Sequence, residues 1–563
     1  MTSVQLGINM PRKHGVARIL LGSSMFFTGA SGLVSEYVLA TVATYILGNS
    51  IEQMSITVAL MMCAMGIGGW VQRFIKDNAL IDKFILLETI LALLIGFAPI
   101  CIYAAFGLME HHFYVVMYFF MIAIGMLVGF EIPLVMRINE KYVGALKDNA
   151  SEIFGMDYIG AFVGALIWAL FLLKTFPLTE ISFLVAGSNF IVAIVTFGYF
   201  ASKGSTVRTK TLFVLIMCLV ALLLYGGLSN RAWSNKLEQR LYDDPIILAE
   251  TTRYQRIVVT HYNKTDDYRL YINGNLQFSS VDEAIYHELL VHPVMNLAKS
   301  HQRVLILGGG DGLAVREVLK YPDVSSIHLV DLDPDMVRIC RTHPALRALN
   351  GGAFDSAKIT TSVPDISTKY LRRVMQDSPD SPRGEVIKER VARVEVINID
   401  ADLFLNSVKG LWDVVIIDFP DPSSVELTKL YSKQFYQKLR RLLAPGALVS
   451  IQATSPYHAK ESYLCIRRTM EAARFSTLPY HQNVPSFGDW GWFLASTEKD
   501  SSVIRVQAEN VAFDVDTRYI TKDVFLSSMV FGKGSLTSKH KKINSLMEPN
   551  LLAFYRDESW LID

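Results

Sequence analysis

At 563 residues the chain is long enough for two or more domains, each burying its own core. A formal net charge of +1 lacks the basic surplus of a nucleic-acid-binding protein, so no nucleic-acid partner is expected. The five cysteines, Cys63, Cys101, Cys218, Cys340 and Cys465, are scattered without CxxC spacing, implying neither a disulfide framework nor a zinc site.

The apolar share of 51% is unevenly placed. From about Ala17 to Leu228 the chain reads as apolar blocks of 20 or more residues between short polar connectors, the pattern of membrane-spanning helices. Seven spans are predicted, near 17–46, 53–75, 82–107, 112–136, 152–174, 179–201 and 211–228. The first is too long for a removed signal peptide and lacks a small-residue cleavage site. Lys and Arg concentrate in the N-terminal tail and in alternate connectors, which puts the N-terminus in the cytoplasm of a multi-pass inner-membrane protein. Seven spans then place the C-terminal half outside, unless a span is miscounted or Arg231, Lys236 and Arg240, read as following the last helix, hold that end inside. Within the spans, Gly160 and Gly164 have close-packing spacing. Glu36, Glu88, Glu131 and Asp157 either form a pathway for a cationic solute or hydrogen-bond between helices.

From about Asp244 the period changes to two. RIVVTHY and YRLYINGNLQF predict a small antiparallel sheet, with a turn at Asn273-Gly274. In SVDEAIYHELLVHPVM, Ile285, Leu289, Leu290 and Val294 recur at helical spacing behind Ser280, read as the cap. VLILG, SIHLVDLD, VEVINID, WDVVIIDF and ALVSIQ then read as buried strands alternating with helices, a doubly wound parallel sheet whose ligand lies at the strand C-termini. A charged, proline-containing insert from about Lys358 to Lys388 reads either as a lid or as a disordered surface excursion. The expected divisions are a transmembrane domain of about seven helices (1–230), a β-hairpin region and helix (231–300), a Rossmann-like domain (301–510) and a C-terminal helical extension (511–563).

The first of these strands runs into GGGDG. A glycine-rich loop before a helix usually receives a phosphate, which the carboxylate of Asp311 would repel. Asp331, 20 residues on, ends the second strand where an acid can accept hydrogen bonds from ribose hydroxyls. Together they favour an S-adenosyl ligand bearing a sulfonium and an ammonium over a dinucleotide.

GGGDG, the preceding DEAIYHE and the later IIDFPDP closely resemble the spermidine synthase family of aminopropyltransferases over roughly residues 245–500, and the apolar N-terminal half resembles its membrane-embedded bacterial members. The resemblance implies transfer of an aminopropyl group from decarboxylated S-adenosylmethionine, a co-substrate, to a diamine such as putrescine, giving spermidine and methylthioadenosine, with no metal or resident cofactor. It implies that Gln255 borders the donor, that Tyr286 and His287 line the substrate site, and that Asp311 holds the charged aminopropyl end. Asp331 would bind the ribose, Asp400 the adenine, and Asp418 would accept the proton, with Asp421 on the same loop. Family members are commonly dimers or tetramers, so a homo-oligomer is expected. Two departures stand out: SSVELTKLYS replaces a glycine-proline turn after the aspartate-proline pair, and Phe487 stands where many members have a tyrosine touching the acceptor. A class I methyltransferase, or a polyamine-binding transporter or sensor, are the competing readings.

Overall fold

The computed structural model describes residues 12–47, 50–109, 112–143, 145–361 and 393–557. It divides into two compact units, Met1–Asp243 and Asp244–Asp563.

In the first unit, seven helices among the described residues are long and apolar enough to cross a membrane: α1 (Gly15–Leu47), α2 (Ile51–Phe74), α3 (Leu80–Met109), α4 (Phe113–Asn139), α5 (Leu146–Leu172), α6 (Leu178–Ser202) and α7 (Thr209–Gln239). The last runs well beyond the expected end at Leu228, so Arg231 and Lys236 belong to the helix rather than following it. Arg231 pairs with Glu180 at 2.6 Å.

Small residues bring these helices together. A Cβ at Gly160 would stand 2.0 Å from Phe26 O and one at Gly164 2.7 Å from Ala30 O, so α5 lies against α1 where both helices lack bulk. Gly125 and Gly129 do the same for α4 against Met61 and Met65 of α2. Polar side chains join one of these contacts and others between the helices. Ser182 donates to Gly96 O at 3.1 Å, Arg18 pairs with Glu152 at 2.6 Å, and buried Glu88 and Glu131 lie side by side. Asp82 accepts the Val207 and Arg208 N–H groups, holding the chain ahead of α7.

The second unit opens with a four-stranded antiparallel sheet, β1 (Ile246–Thr251), β2 (Arg256–Tyr262), β3 (Asp267–Ile272) and β4 (Asn275–Ser279), in that order. Its last hairpin turns at Asn273 and Gly274, both at positive φ, as the sequence predicts. Helix α8 (Glu283–Leu297) follows. Ser280 is not its cap: its hydroxyl accepts the Tyr268 N–H and donates to Asp267, tying the turn to the sheet instead.

The main sheet comprises β5 (Arg303–Gly308), β6 (Ser326–Asp331), β7 (Lys358–Thr361), β8 (Arg393–Asn398), β9 (Trp412–Asp418), β10 (Leu443–Gln452), β11 (Ser476–Val484) and β12 (Gly488–Ser496). Their spatial order is β11-β12-β10-β9-β5-β6-β8-β7. Six strands are parallel, but β12 runs antiparallel to β10 and β11 to β12, so the sheet is mixed rather than wholly parallel. The start of the expected surface insert is the edge strand β7; positions 362–392 lie outside the described residues. Alternation along β5 feeds two cores, with Val304 and Ile306 in the layer that includes α8 and Leu305 and Leu307 in the opposite layer. The chain leaves β5 for β6 on one side and later returns to β9 on the other. That reversal opens a crevice at the strand C-termini.

Candidate active site

The crevice is built around β5 and β9, which pair in parallel with Gly308 opposite Asp418. Gly308 has φ of +83°, and a Cβ there would stand 2.1 Å from Asp418 O. Only glycine turns the chain this close to the acid loop. A Cβ at Gly310 would meet the Asp331 carboxyl at 2.7 Å, and the Gly310 N–H instead donates to Asp331 Oδ2 at 3.0 Å. Asp331 Oδ1 accepts the Asp333 N–H at 2.8 Å. Burial pushes the Asp331 carboxyl up to about 7 against these two hydrogen bonds.

Asp311 follows the glycines and turns inward at the start of the short helix α9 (Leu313–Val318), where its Oδ1 accepts the Leu313 N–H at 2.8 Å. Burial raises its carboxyl, with the charge of His287 pulling the other way. From α8, Tyr286 donates to Asp418 Oδ1 at 2.7 Å, its ring lying among Phe487, Trp490 and Trp492. Burial pushes the Asp418 carboxyl up to about 6, opposed by His287 and the Tyr286 hydrogen bond and reinforced by Asp311.

His287, Asp311 and Asp418 converge: one ring nitrogen and one oxygen from each acid lie within 4.8 Å of one another. His287 Nδ1 lies 2.9 Å from Glu283 O and 3.0 Å from Glu283 Oε2. Burial alone would push the imidazole down, but the Glu283 hydrogen bond and charge reverse this and raise it to about 9. A second group with similar spacing, Glu288, His292 and Glu317, is wholly buried and already bonded within the protein. Glu288 accepts the N–H groups of Arg518, Tyr519 and Ile520, and Glu317 meets His292, Arg316 and Lys320.

The remaining expected residues frame this centre. Gln255 sits in the β1–β2 turn, and its side chain, with Thr252 at 2.7 Å, bonds Asp333 just past Asp331. Asp400 caps helix α10 (Ala401–Ser407) through the Asp402 and Leu403 N–H groups, while its other oxygen pairs with Lys429 at 2.7 Å. Asp421 accepts from Tyr555 at 2.9 Å, and burial pushes its carboxyl up to about 6.

Sequence reasoning missed the support for His287. Glu283 is buried and bonded to Arg316 at 2.9 Å and to Arg518. Burial opposes its charge, but His287 and Arg316 hold its carboxyl well below the usual range. The signal was the four-residue spacing of Glu283 and His287 on a helix. Arg518 and Tyr555 lie far along the chain and carry no local signal.

A spermine/spermidine synthase domain model matches residues 283–386 and 361–507. Polyamine aminopropyltransferase 2 of Ralstonia nicotianae is 36% identical over 543 residues, covering 96% of this chain and 98% of the relative. This chain belongs to the polyamine aminopropyltransferase family. Polyamine aminopropyltransferase 1 of Streptomyces coelicolor is also 36% identical, over 98% of this chain and 97% of its own. The polyamine aminopropyltransferase of Mycobacterium tuberculosis is 31% identical over 95% of each chain. These matches extend through the apolar helices as well as the α/β unit. Among solved structures, the spermidine synthase of Thermotoga maritima superposes with a TM-score of 0.40 at 22% identity, over 52% of this chain and 87% of that one. The protein is therefore an enzyme, an aminopropyltransferase acting in polyamine synthesis.

Proposed function

We propose that the enzyme transfers the aminopropyl group of decarboxylated S-adenosylmethionine to putrescine, giving spermidine and methylthioadenosine. The observation that carries this reading is the convergence of His287, Asp311 and Asp418 under Tyr286, two acids at the C-termini of neighbouring strands facing one point. Asp311 binds the aminopropyl ammonium of the donor. It would repel the carboxylate of intact S-adenosylmethionine, which argues against a methyltransferase. Asp331 takes the ribose hydroxyls, Asp400 borders the adenine, and Gln255 closes the donor site from the small sheet.

The attacking nitrogen of putrescine must be unprotonated, although an alkylamine has a pKa near about 10. Asp418 accepts its proton and aligns the lone pair. The nitrogen attacks the aminopropyl carbon next to sulfur, the carbon–sulfur bond breaks, and its electron pair neutralises the sulfonium. The departing thioether needs no acid. Asp421, three residues further along the same loop, faces the second ammonium of the diamine.

The seven apolar helices embed the protein as a multi-pass unit in the cell's inner membrane, and the catalytic unit works as a homo-oligomer. A binding-only sensor would not need the base at Asp418.

Product analysis tests this reading. The detergent-purified protein is incubated with decarboxylated S-adenosylmethionine or S-adenosylmethionine and a panel of amines, beside Asp418→Asn. Methylthioadenosine from the decarboxylated donor and putrescine alone, lost in the variant, is the expected result. Donor binding without turnover for every amine overturns it.

A further inference from the structure

The C-terminal extension reaches the acid loop. Helix α11 (Asn550–Asp557) is anchored by buried Leu551 and Leu552. The chain before it is fastened to the segment that departs from the family's turn. Asn544 Nδ2 donates to Thr428 O at 2.7 Å, the Lys433 N–H donates to Asn544 O at 3.0 Å, and the Asn544 N–H donates to Thr469 Oγ1 at 2.9 Å. From this fixed base Tyr555 Oη donates to Asp421 Oδ2 at 2.9 Å. Gln452 Nε2 lies 3.5 Å from Asp421 Oδ1 but is bonded more closely to Tyr431 Oη, at 2.7 Å. Among the described residues, the Tyr555 hydroxyl is thus a shorter side-chain contact to Asp421 than Gln452.

The matched family domain ends at residue 507, well short of Tyr555. Phe487, whose ring centre lies 6.0 Å from that of Tyr286, offers no hydroxyl. A carboxylate left free to change rotamer is a poor reader of a cation, whereas one held by a phenol from an anchored helix presents a fixed oxygen.

We infer that Tyr555 is a positioning residue for the acceptor amine, holding Asp421 so that its carboxylate receives the distal ammonium of a diamine. The inference rests on the acceptor reading given above. Its hydrogen bond also holds the Asp421 carboxyl down against burial, so losing it raises the pH below which the acid is neutral.

Tyr555→Phe keeps the ring and removes only the hydroxyl; Tyr555→Ala removes both. Kinetics with decarboxylated S-adenosylmethionine and 1,4-diaminobutane are measured across pH 5–9 for the full chain in detergent, together with the unfolding midpoint. The expected result for Tyr555→Phe is a rise of about tenfold in KM for the diamine, the size of one lost charge-assisted hydrogen bond. Donor KM and the midpoint stay unchanged, and the acid limb of kcat/KM for the diamine moves to higher pH. Wild-type parameters in the Phe variant with loss confined to Ala would mean that the ring only packs, overturning the inference. Equal changes in donor and diamine parameters with a lowered midpoint would overturn it too. No turnover by the wild-type protein would instead refute the aminopropyl-transfer reading itself.

Discussion

Tyr286 Oη donates a hydrogen bond to Asp418 Oδ1 across 2.7 Å, from a helix 132 positions earlier in the chain. The hydrogen bond fixes the carboxylate and occupies one oxygen. Oδ2, which would lie 3.0 Å from a Cβ at Gly309, is left facing the glycine loop.

Asp418→Asn removes the proposed proton acceptor without changing the shape of the site. A fall in kcat of about 10²–10⁴ is expected, the usual worth of a positioned general base. Calorimetric titration with the donor should show affinity close to wild type. An unchanged kcat would show that another group takes the proton.

The pH profile follows from Asp418, whose carboxyl sits at about 6. As the proposed base it would work only when ionised, so kcat should fall as pH drops through about 6. Tyr286→Phe removes a hydrogen bond that favours the charged form, so the acid limb should move to higher pH. A profile that stays in place would separate the limb from Asp418.

Glu283→Gln strips the charge that His287, Arg316 and Arg518 share. Breaking a buried ion pair from one side costs about 3–5 kcal/mol, and chemical denaturation of the catalytic unit should register a loss of that order. The sign of the pH effect is also fixed. His287 is raised to about 9 in the folded state, so its stabilising contribution is complete below its unfolded value and is lost as pH rises through about 9. That alkaline loss should be absent in the variant.

Gly308→Ala places a methyl group 2.1 Å from the Asp418 carbonyl at a φ of +83°. The β5 and β9 ends must separate. Activity should fall at least as far as in Asp418→Asn, with a lowered unfolding midpoint that the Asn variant does not share.

Much of this was readable in advance because it depends on local pattern. The apolar blocks, the Asn273-Gly274 hairpin and the strand runs of β5, β6, β8, β9 and β10 each follow from periodicity or turn chemistry within a dozen residues. What escaped depends on distant partners. Ser280 looks like a cap until Tyr268 and Asp267 claim its hydroxyl. The antiparallel pair β11 and β12 extends a parallel sheet, and the edge strand β7 opens a stretch whose charge suggested a loop. At the site, Asp311, Asp331 and Asp418 end strands or follow glycines and so announce themselves. Arg518 and Tyr555 act on Glu283 and Asp421 across 235 and 134 positions, a relation that no window along the chain contains.

The pairing of β5 with β9 also bears on how activity arises during folding. The strands meet across a separation of 110 positions, as the bond from the Arg303 N–H to Asp413 shows, and Gly308 and Asp418 become neighbours only when that loop closes. Closure of long loops is entropically slow, whereas the β3–β4 hairpin and α8 form from adjacent residues. Refolding followed by circular dichroism should therefore run ahead of refolding followed by turnover, because local secondary structure accumulates before this non-local pairing brings Gly308 and Asp418 together.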